Sequence, residues 1–222
     1  LNDALSGKVD IISTITAHYG LKFIPASLEM KDLVSVDPMS FKKHLKKLLT
    51  PKNLDFVILD SAPGLGREAI TVLDAAEEII FVTNPFAPMV NDVIRSLEVL
   101  KHLRGGKNVN IALNMVTWNP HEIAKKTLED LAGAPVIAEI PYDSNLVFSL
   151  VARSPIINSK PNSGASLGVK SLAAYLAGEE FKWPVRTRIG RTLQKVKNYF
   201  TPHRISMPTN VEDVKEEIFI QK

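Results

Sequence analysis

The stretch of this sequence best suited to chemistry is an apolar run ending in one carboxylate and followed by a Pro-Gly-x-Gly turn: Phe56-Val57-Ile58-Leu59-Asp60-Ser61-Ala62-Pro63-Gly64-Leu65-Gly66. Read as a strand over Phe56 to Asp60, the run delivers Asp60 to the carboxyl end, where ligands bind in open α/β sheets. A carboxylate there suits Mg²⁺, which is commonly held by one or two carboxylates together with substrate phosphates. Gly64 and Gly66 lack a Cβ and so let backbone N–H groups approach a phosphate. The bland alternative is that Asp60 only caps the turn that follows it, a common task of Asp.

The elements that must position these residues alternate. Short apolar, β-branched runs at Lys22 to Pro25, Phe56 to Asp60, Ile79 to Thr83, Val109 to Met115 and Val136 to Ile140 read as strands. They are apolar on both faces, as strands covered by helices on each side must be. Helical periodicity falls between them, at about Pro38 to Leu49, Arg67 to Ala76, Pro88 to Leu103, Pro120 to Leu131, Ser144 to Val151 and Ser163 to Ala177. Pro38, Pro88 and Pro120 sit where a first helical turn tolerates proline, and Gly105, Gly133 and Gly178 follow helix ends. The expectation is an α/β fold with a mostly parallel sheet and helices on both faces.

A chain of 222 residues, 45% hydrophobic, can bury one sizeable core. It contains no Cys, which excludes a disulfide framework and thiolate metal sites, and its five His lack ligand spacing. No apolar run approaches the roughly 20 residues needed to span a bilayer, and nothing near the start has the order of a signal peptide. Leu1 to Ser6 reads as the end of a helix already under way, stopped by Gly7, so the chain looks cut at its front. The expected organisation is one domain over residues 1–178, a linker and basic helix over 179–204, and a flexible tail over 205–222.

The formal charge of +3 conceals an asymmetry. Phe181 to Arg204 holds seven Lys/Arg and no acid, whereas the rest of the chain has 20 basic residues against 24 acidic ones. Such a block marks an anionic partner, either a membrane surface or nucleic acid. Within it Val185, Ile189, Leu193, Val196 and Phe200 recur at helical spacing, and Arg186, Arg188, Arg191, Lys195 and Lys197 take the other face. Trp183 and Tyr199 add rings of the kind that settle at a bilayer interface. The alternative is that this stripe docks on its own domain.

The run from Phe56 to Gly66 resembles the Walker B and switch II segment of the deviant-Walker P-loop ATPases, the MinD/ParA family. Asp74-Ala75-Ala76-Glu77-Glu78-Ile79-Ile80-Phe81-Val82-Thr83-Asn84-Pro85 continues the likeness, which covers about Leu1 to Gly178. The resemblance implies a P-loop NTPase of the SIMIBI type, a three-layer sandwich binding ATP and Mg²⁺. By position, Asp60 would bind the magnesium-coordinated water and help order the attacking one, and Gly64 would donate its N–H to the γ-phosphate. Asn114 matches an Asn whose amide reads the adenine edge, with strand capping as the alternative. Pro141-Tyr142-Asp143 resembles the loop that encloses the adenine, chiefly through its backbone.

The family's phosphate loop, Lys-Gly-Gly-x-Gly-Lys-Thr, occurs nowhere in these residues, nor does the switch I Asp after it. The fold is therefore expected to lack its first, P-loop strand, and the 222 residues alone to be inactive. The resemblance implies a homodimer across nucleotide that attaches reversibly to the anionic inner face of the plasma membrane from the cytoplasm. It would position the division site or another structure with an unidentified activating or cargo protein. The rivals are a ParA-like partition ATPase whose basic patch binds DNA, and a non-hydrolytic adaptor. The iron–sulfur carriers of the family need cysteines this chain lacks.

Overall fold

The computed structural model describes residues 2–5, 8–18, 20–25, 44, 48, 54–61, 64–103, 108–185, 187, 190 and 192. In chain order the elements are α1 (Asn2–Leu5), a 3₁₀ turn (Ile11–Thr14), β1 (Thr16–His18), β2 (Leu21–Phe23), α2 (Arg67–Ala75), β3 (Glu78–Thr83) and α3 (Ala87–Leu103), then β4 (Asn108–Val116), α4 (Lys125–Ala132), β5 (Val136–Pro141), α5 (Asn145–Val151), α6 (Ile156–Ser159) and α7 (Gly164–Leu176).

Strands β3, β4 and β5 are hydrogen-bonded neighbours in that order. Helix α3 joins the first pair and α4 the second. A helix-bearing crossover is what two strands running the same way require, so this is the parallel sheet of an α/β fold. The chain divides into two compact units, one of Leu1–Thr83, Pro88–Ala112 and Lys125–Ile137, the other of Asn84–Ala87, Leu113–Ala124 and Ala138–Lys222.

In the first unit the helical period decides what is buried. Val90, Val93, Leu97 and Leu100 recur every three or four residues of α3 and are all buried, as are Leu128 and Ala132 one turn apart on α4. Ile79, Ile111 and Ala112 supply buried strand residues. Asn110, itself buried, donates through Nδ2 to Glu78 Oε1 at 2.6 Å, a side-chain link between neighbouring strands β3 and β4. Helix α4 also reaches the start of β5, because Glu129 Oε1 accepts from Val136 N at 2.9 Å while Lys125 Nζ donates to Val136 O at 2.7 Å.

In the second unit Ile140, Ile156 and Ala165 form a buried cluster with Leu146 packed against it. Helix α7 starts with Ser163, whose hydroxyl accepts from Ser166 N at 3.3 Å, and it crosses β5 closely. A Cβ added at Gly168 would lie 2.8 Å from Ile140 Cα, so only glycine permits this approach.

Helices α2, α3 and α7 fall where periodicity places them, and Gly133 and Gly178 follow α4 and α7 as expected. Four expectations need correction or fall away. Phe56 to Asp60 forms no strand. A strand exists only through ladder partners, none is described for this run, and Phe56 and Ile58 are 59% and 86% exposed. Lys22 to Pro25 is replaced by β2, which pairs antiparallel with β1 (Thr16↔Phe23, His18↔Leu21), a hairpin separate from the parallel sheet. Helix α4 starts at Lys125 rather than Pro120, because Asn119 Oδ1 accepts from His121 N at 3.0 Å and holds the Asn-Pro step in a turn. The helix expected over Pro38 to Leu49 lies outside the described residues except for His44 and Leu48, both helical.

Candidate functional site

Asp60 and Gly64 belong to the first unit. Asp60 is exposed, and four residues on Gly64 has φ +85°, in the left-handed region that side chains other than glycine's rarely adopt. Gly66 then forms the N-cap of α2, with Ile70 N donating to Gly66 O at 3.0 Å. The sequence Asp-Ser-Ala-Pro-Gly-Leu-Gly thus carries an exposed carboxylate, a left-handed glycine and a helix start within seven residues. Ala62 and Pro63 lie outside the described residues.

Asn114, Pro141, Tyr142 and Asp143 belong to the second unit. Strand β4 runs to Val116, two residues past Asn114, but Met115 has φ +58° and kinks it directly after the half-buried Asn114. Tyr142 N donates to Val116 O at 3.0 Å, so the residues following Asn114 and those following β5 are brought together. Val116 and Pro141 are buried; Tyr142 is 55% exposed.

Two carboxylates fix this region, and only one was a candidate from sequence. Asp143 Oδ1 accepts from Asn145 N at 3.0 Å and Asn145 Nδ2 at 2.7 Å, while Oδ2 accepts from Ala165 N at 3.2 Å. Burial pushes the Asp143 carboxyl up, but hydrogen bonds from the Ser163 hydroxyl, the Asn145 amide and the backbone N–H groups of Ala165 and Asn145 outweigh it. The group stays below the usual carboxylate range. Its side chain therefore ties the loop after β5 to the first turn of α7, more than the backbone part that the resemblance implies.

Glu122 is the residue that sequence reasoning missed. One of its oxygens accepts from Thr117 N at 2.9 Å and from the Thr117 hydroxyl, and the other accepts from Trp118 N at 2.8 Å. Trp118 has φ +57°, so this carboxylate holds a backbone turn that most residues avoid. Ile123 N adds a bond to the carbonyl of the buried Pro85 at 2.8 Å. The Asn119-Pro120 dipeptide was the available signal of a turn, but nothing in the local pattern says which acid closes it.

Of the basic segment, Val185, Thr187, Gly190 and Thr192 are helical. Ile189, Leu193, Val196, Phe200, Arg186, Arg188, Arg191, Lys195 and Lys197 lie outside the described residues. Trp183 is half-buried and stands edge-on to Phe181, with ring centroids 5.7 Å apart. Pro184 and Thr187 line a cavity of about 590 Å³ with Asn162 and Leu167. No described helix is long and apolar enough to cross a membrane.

No protein-family model matches the chain. It is 26% identical over 183 residues to an uncharacterised ATP-binding protein of Methanocaldococcus jannaschii, covering 82% of this chain and 68% of that one. It is 27% identical over 188 residues to the septum site-determining protein MinD of Thermotoga maritima, covering 80% and 67%. The chain is distantly homologous to MinD and to archaeal ATP-binding proteins of the MinD/ParA family. It spans about two thirds of the length of those two relatives. Among solved MinD structures, the septum site-determining protein of Pyrococcus horikoshii in complex with Mg-ADP superposes with a TM-score of 0.71 at 24% identity, covering 79% of this chain and 72% of that one. The MinD-like α/β fold follows from that likeness.

Proposed function

We propose that the intact protein is a MinD-type switch that binds and hydrolyses Mg-ATP, dimerises across the nucleotide and attaches reversibly to the anionic inner face of the plasma membrane. The observation that carries this reading is the exposed Asp60 carboxylate leading into the left-handed Gly64 and the N-cap of α2. That order suits a residue that contacts metal-bound water and a backbone N–H that meets a phosphate.

No described group of three or more His, Asp or Glu forms a metal cage. A magnesium ion here would draw on Asp60 and on the nucleotide's own phosphates, where it neutralises their charge. These 222 residues contain no Lys-Gly-Gly-x-Gly-Lys-Thr sequence, and the phosphate contact proposed within them is the backbone N–H of Gly64. The base contact in this proposal falls to Asn114, in the same unit as the loop Pro141-Tyr142-Asp143. The relatives named ATP-binding protein and MinD, and the Mg-ADP of the Pyrococcus protein, support the choice of nucleotide.

Asp60→Ala in the intact protein should abolish ATP turnover and leave the fold unchanged by circular dichroism; undiminished hydrolysis would remove Asp60 from the mechanism. Asn114→Ala should weaken ATP about 10-fold more than GTP, the scale of one lost base contact of about 1 to 3 kcal/mol. Equal losses for both nucleotides would return Asn114 to strand capping. Sedimentation with neutral and anionic vesicles, in ATP and in ADP, tests the attachment of the Trp183 to Phe200 segment. Preference for duplex DNA over anionic vesicles would favour partition over membrane positioning.

A further inference from the structure

Helix α5 is built inside out. Its Ser149 is buried, with the hydroxyl donating to the Ser154 carbonyl, while Val147, Phe148, Leu150 and Val151 are 64%, 59%, 77% and 79% exposed. Only Leu146 of its large side chains packs inward, on the cluster of Ile140, Ile156 and Ala165. A helix lying on its own domain ordinarily does the reverse, turning its large apolar side chains in and its small polar ones out. Four adjacent apolar side chains in a seven-residue helix form a contiguous patch of the kind that marks an interaction site.

The charges around the patch indicate what covers it. From Ser144 through Ala152 there is no charged residue, so a partner surface of the same composition meets it without burying an ion. Asp143 stands just before the first turn and the exposed Arg153 just after the last, so the two ends carry opposite signs. When two copies of α5 meet about a twofold axis perpendicular to the helix they run antiparallel. That arrangement sets the Asp143 end of one against the Arg153 end of the other and opposes the helix dipoles. We infer that α5 is a self-association surface, pairing antiparallel with α5 of a second copy of this chain through Val147, Phe148, Leu150 and Val151. This contact is separate from dimerisation across nucleotide and does not depend on it.

One short helix offers less than the roughly 800 Å² per partner of a standard interface, so the dimer is weak. Sedimentation velocity of the intact protein without nucleotide, over roughly 1 to 200 µM, should show a reversible monomer–dimer equilibrium with Kd on the order of 10 µM. Leu150→Glu with Val151→Glu alters two exposed positions and should leave the circular dichroism spectrum unchanged while weakening association at least about 100-fold. Arg153→Glu should weaken it several-fold at low salt and less at high salt, because it sets like charges together at both ends. A wild-type monomer throughout the range overturns the inference, as does a dimer that survives the double glutamate variant. An Arg153→Glu dimer unchanged at low salt overturns the antiparallel pairing. All arms omit nucleotide, so failure here leaves Mg-ATP binding standing, and failure to bind Mg-ATP leaves this contact standing.

Discussion

Gly168→Ala is the sharpest test of how α7 rests on β5. In a helix interior the exchange normally stabilises, because alanine is favoured over glycine by about 1 kcal/mol. Here the new Cβ meets Ile140 Cα at 2.8 Å, Pro141 Cδ at 3.1 Å and Glu139 O at 3.2 Å, where ordinary contact begins at 3.4 Å. Two of these atoms are backbone and the third belongs to a proline ring, so no flexible side chain can swing aside. Helix and strand must part by about 0.6 Å. Overpacking of this kind costs about 1 to 3 kcal/mol, which cancels or exceeds the gain in propensity and leaves a net loss of up to roughly 2 kcal/mol. For a chain of this size that corresponds to a fall in Tm of up to about 8 °C. Gly164→Ala is the internal control, since its Cβ would sit at 3.4 Å from Pro141 Cβ, an ordinary distance, and it should be neutral or slightly stabilising. Urea and thermal unfolding followed by circular dichroism measure both. A Gly168→Ala variant more stable than wild type would refute the close crossing.

Glu122→Ala removes the acceptor for Thr117 N, the Thr117 hydroxyl and Trp118 N, and should cost about 1 to 3 kcal/mol in urea unfolding; Glu122→Gln, which keeps one acceptor oxygen, should cost less. Equal stability of all three proteins would show that the turn holds itself. Asp143 titrates below its ordinary 3.8, so its contribution is complete above that value and is lost as pH falls through the lowered pKa. Wild type should therefore lose more stability between neutral pH and the region below 3.8 than Asp143→Asn does, and identical acid profiles would exclude a stabilising role for the carboxylate.

The parts of the fold legible in the sequence are those set by local pattern. The buried stripe of α3 and the runs of β3, β4 and β5 each carry their own period, and Gly133 and Gly178 mark helix ends without reference to anything distant. What failed depended on partners far along the chain. Phe56 to Asp60 has the composition of a strand, but a ladder is a property of two segments and one apolar run cannot announce the second. Leu21 to Phe23 found its partner five residues upstream in a hairpin instead of in the parallel sheet. Helix α4 began late because Asn119 and Glu122 spend their side chains on the backbone around Pro120, an outcome that helical periodicity does not encode. Asp60, Gly64 and Asn114 are candidates by motif alone, and the tight fit at Gly168 has no such signal, since a glycine in a helix gives no sign of the strand it lies against.

The grip of α4 on Val136 bears on a hazard that every open sheet faces. Strand β5 stands at one edge of the described strands, and an edge offers unpaired N–H and C=O groups to any passing chain. Ile111 N takes the carbonyl of Pro135 at 2.9 Å, so that residue turns toward β4 and the next, Val136, turns its own N–H and C=O outward. Both outward groups are already taken, one by Glu129 and the other by Lys125, two residues a single helical turn apart that also pair with each other at 3.8 Å. An incoming strand would find no free rung at the first step of β5 and would have to displace an ion pair to begin zipping. Lys125 and Glu129 thus act as gatekeepers against amyloid-like strand addition at this end of the edge.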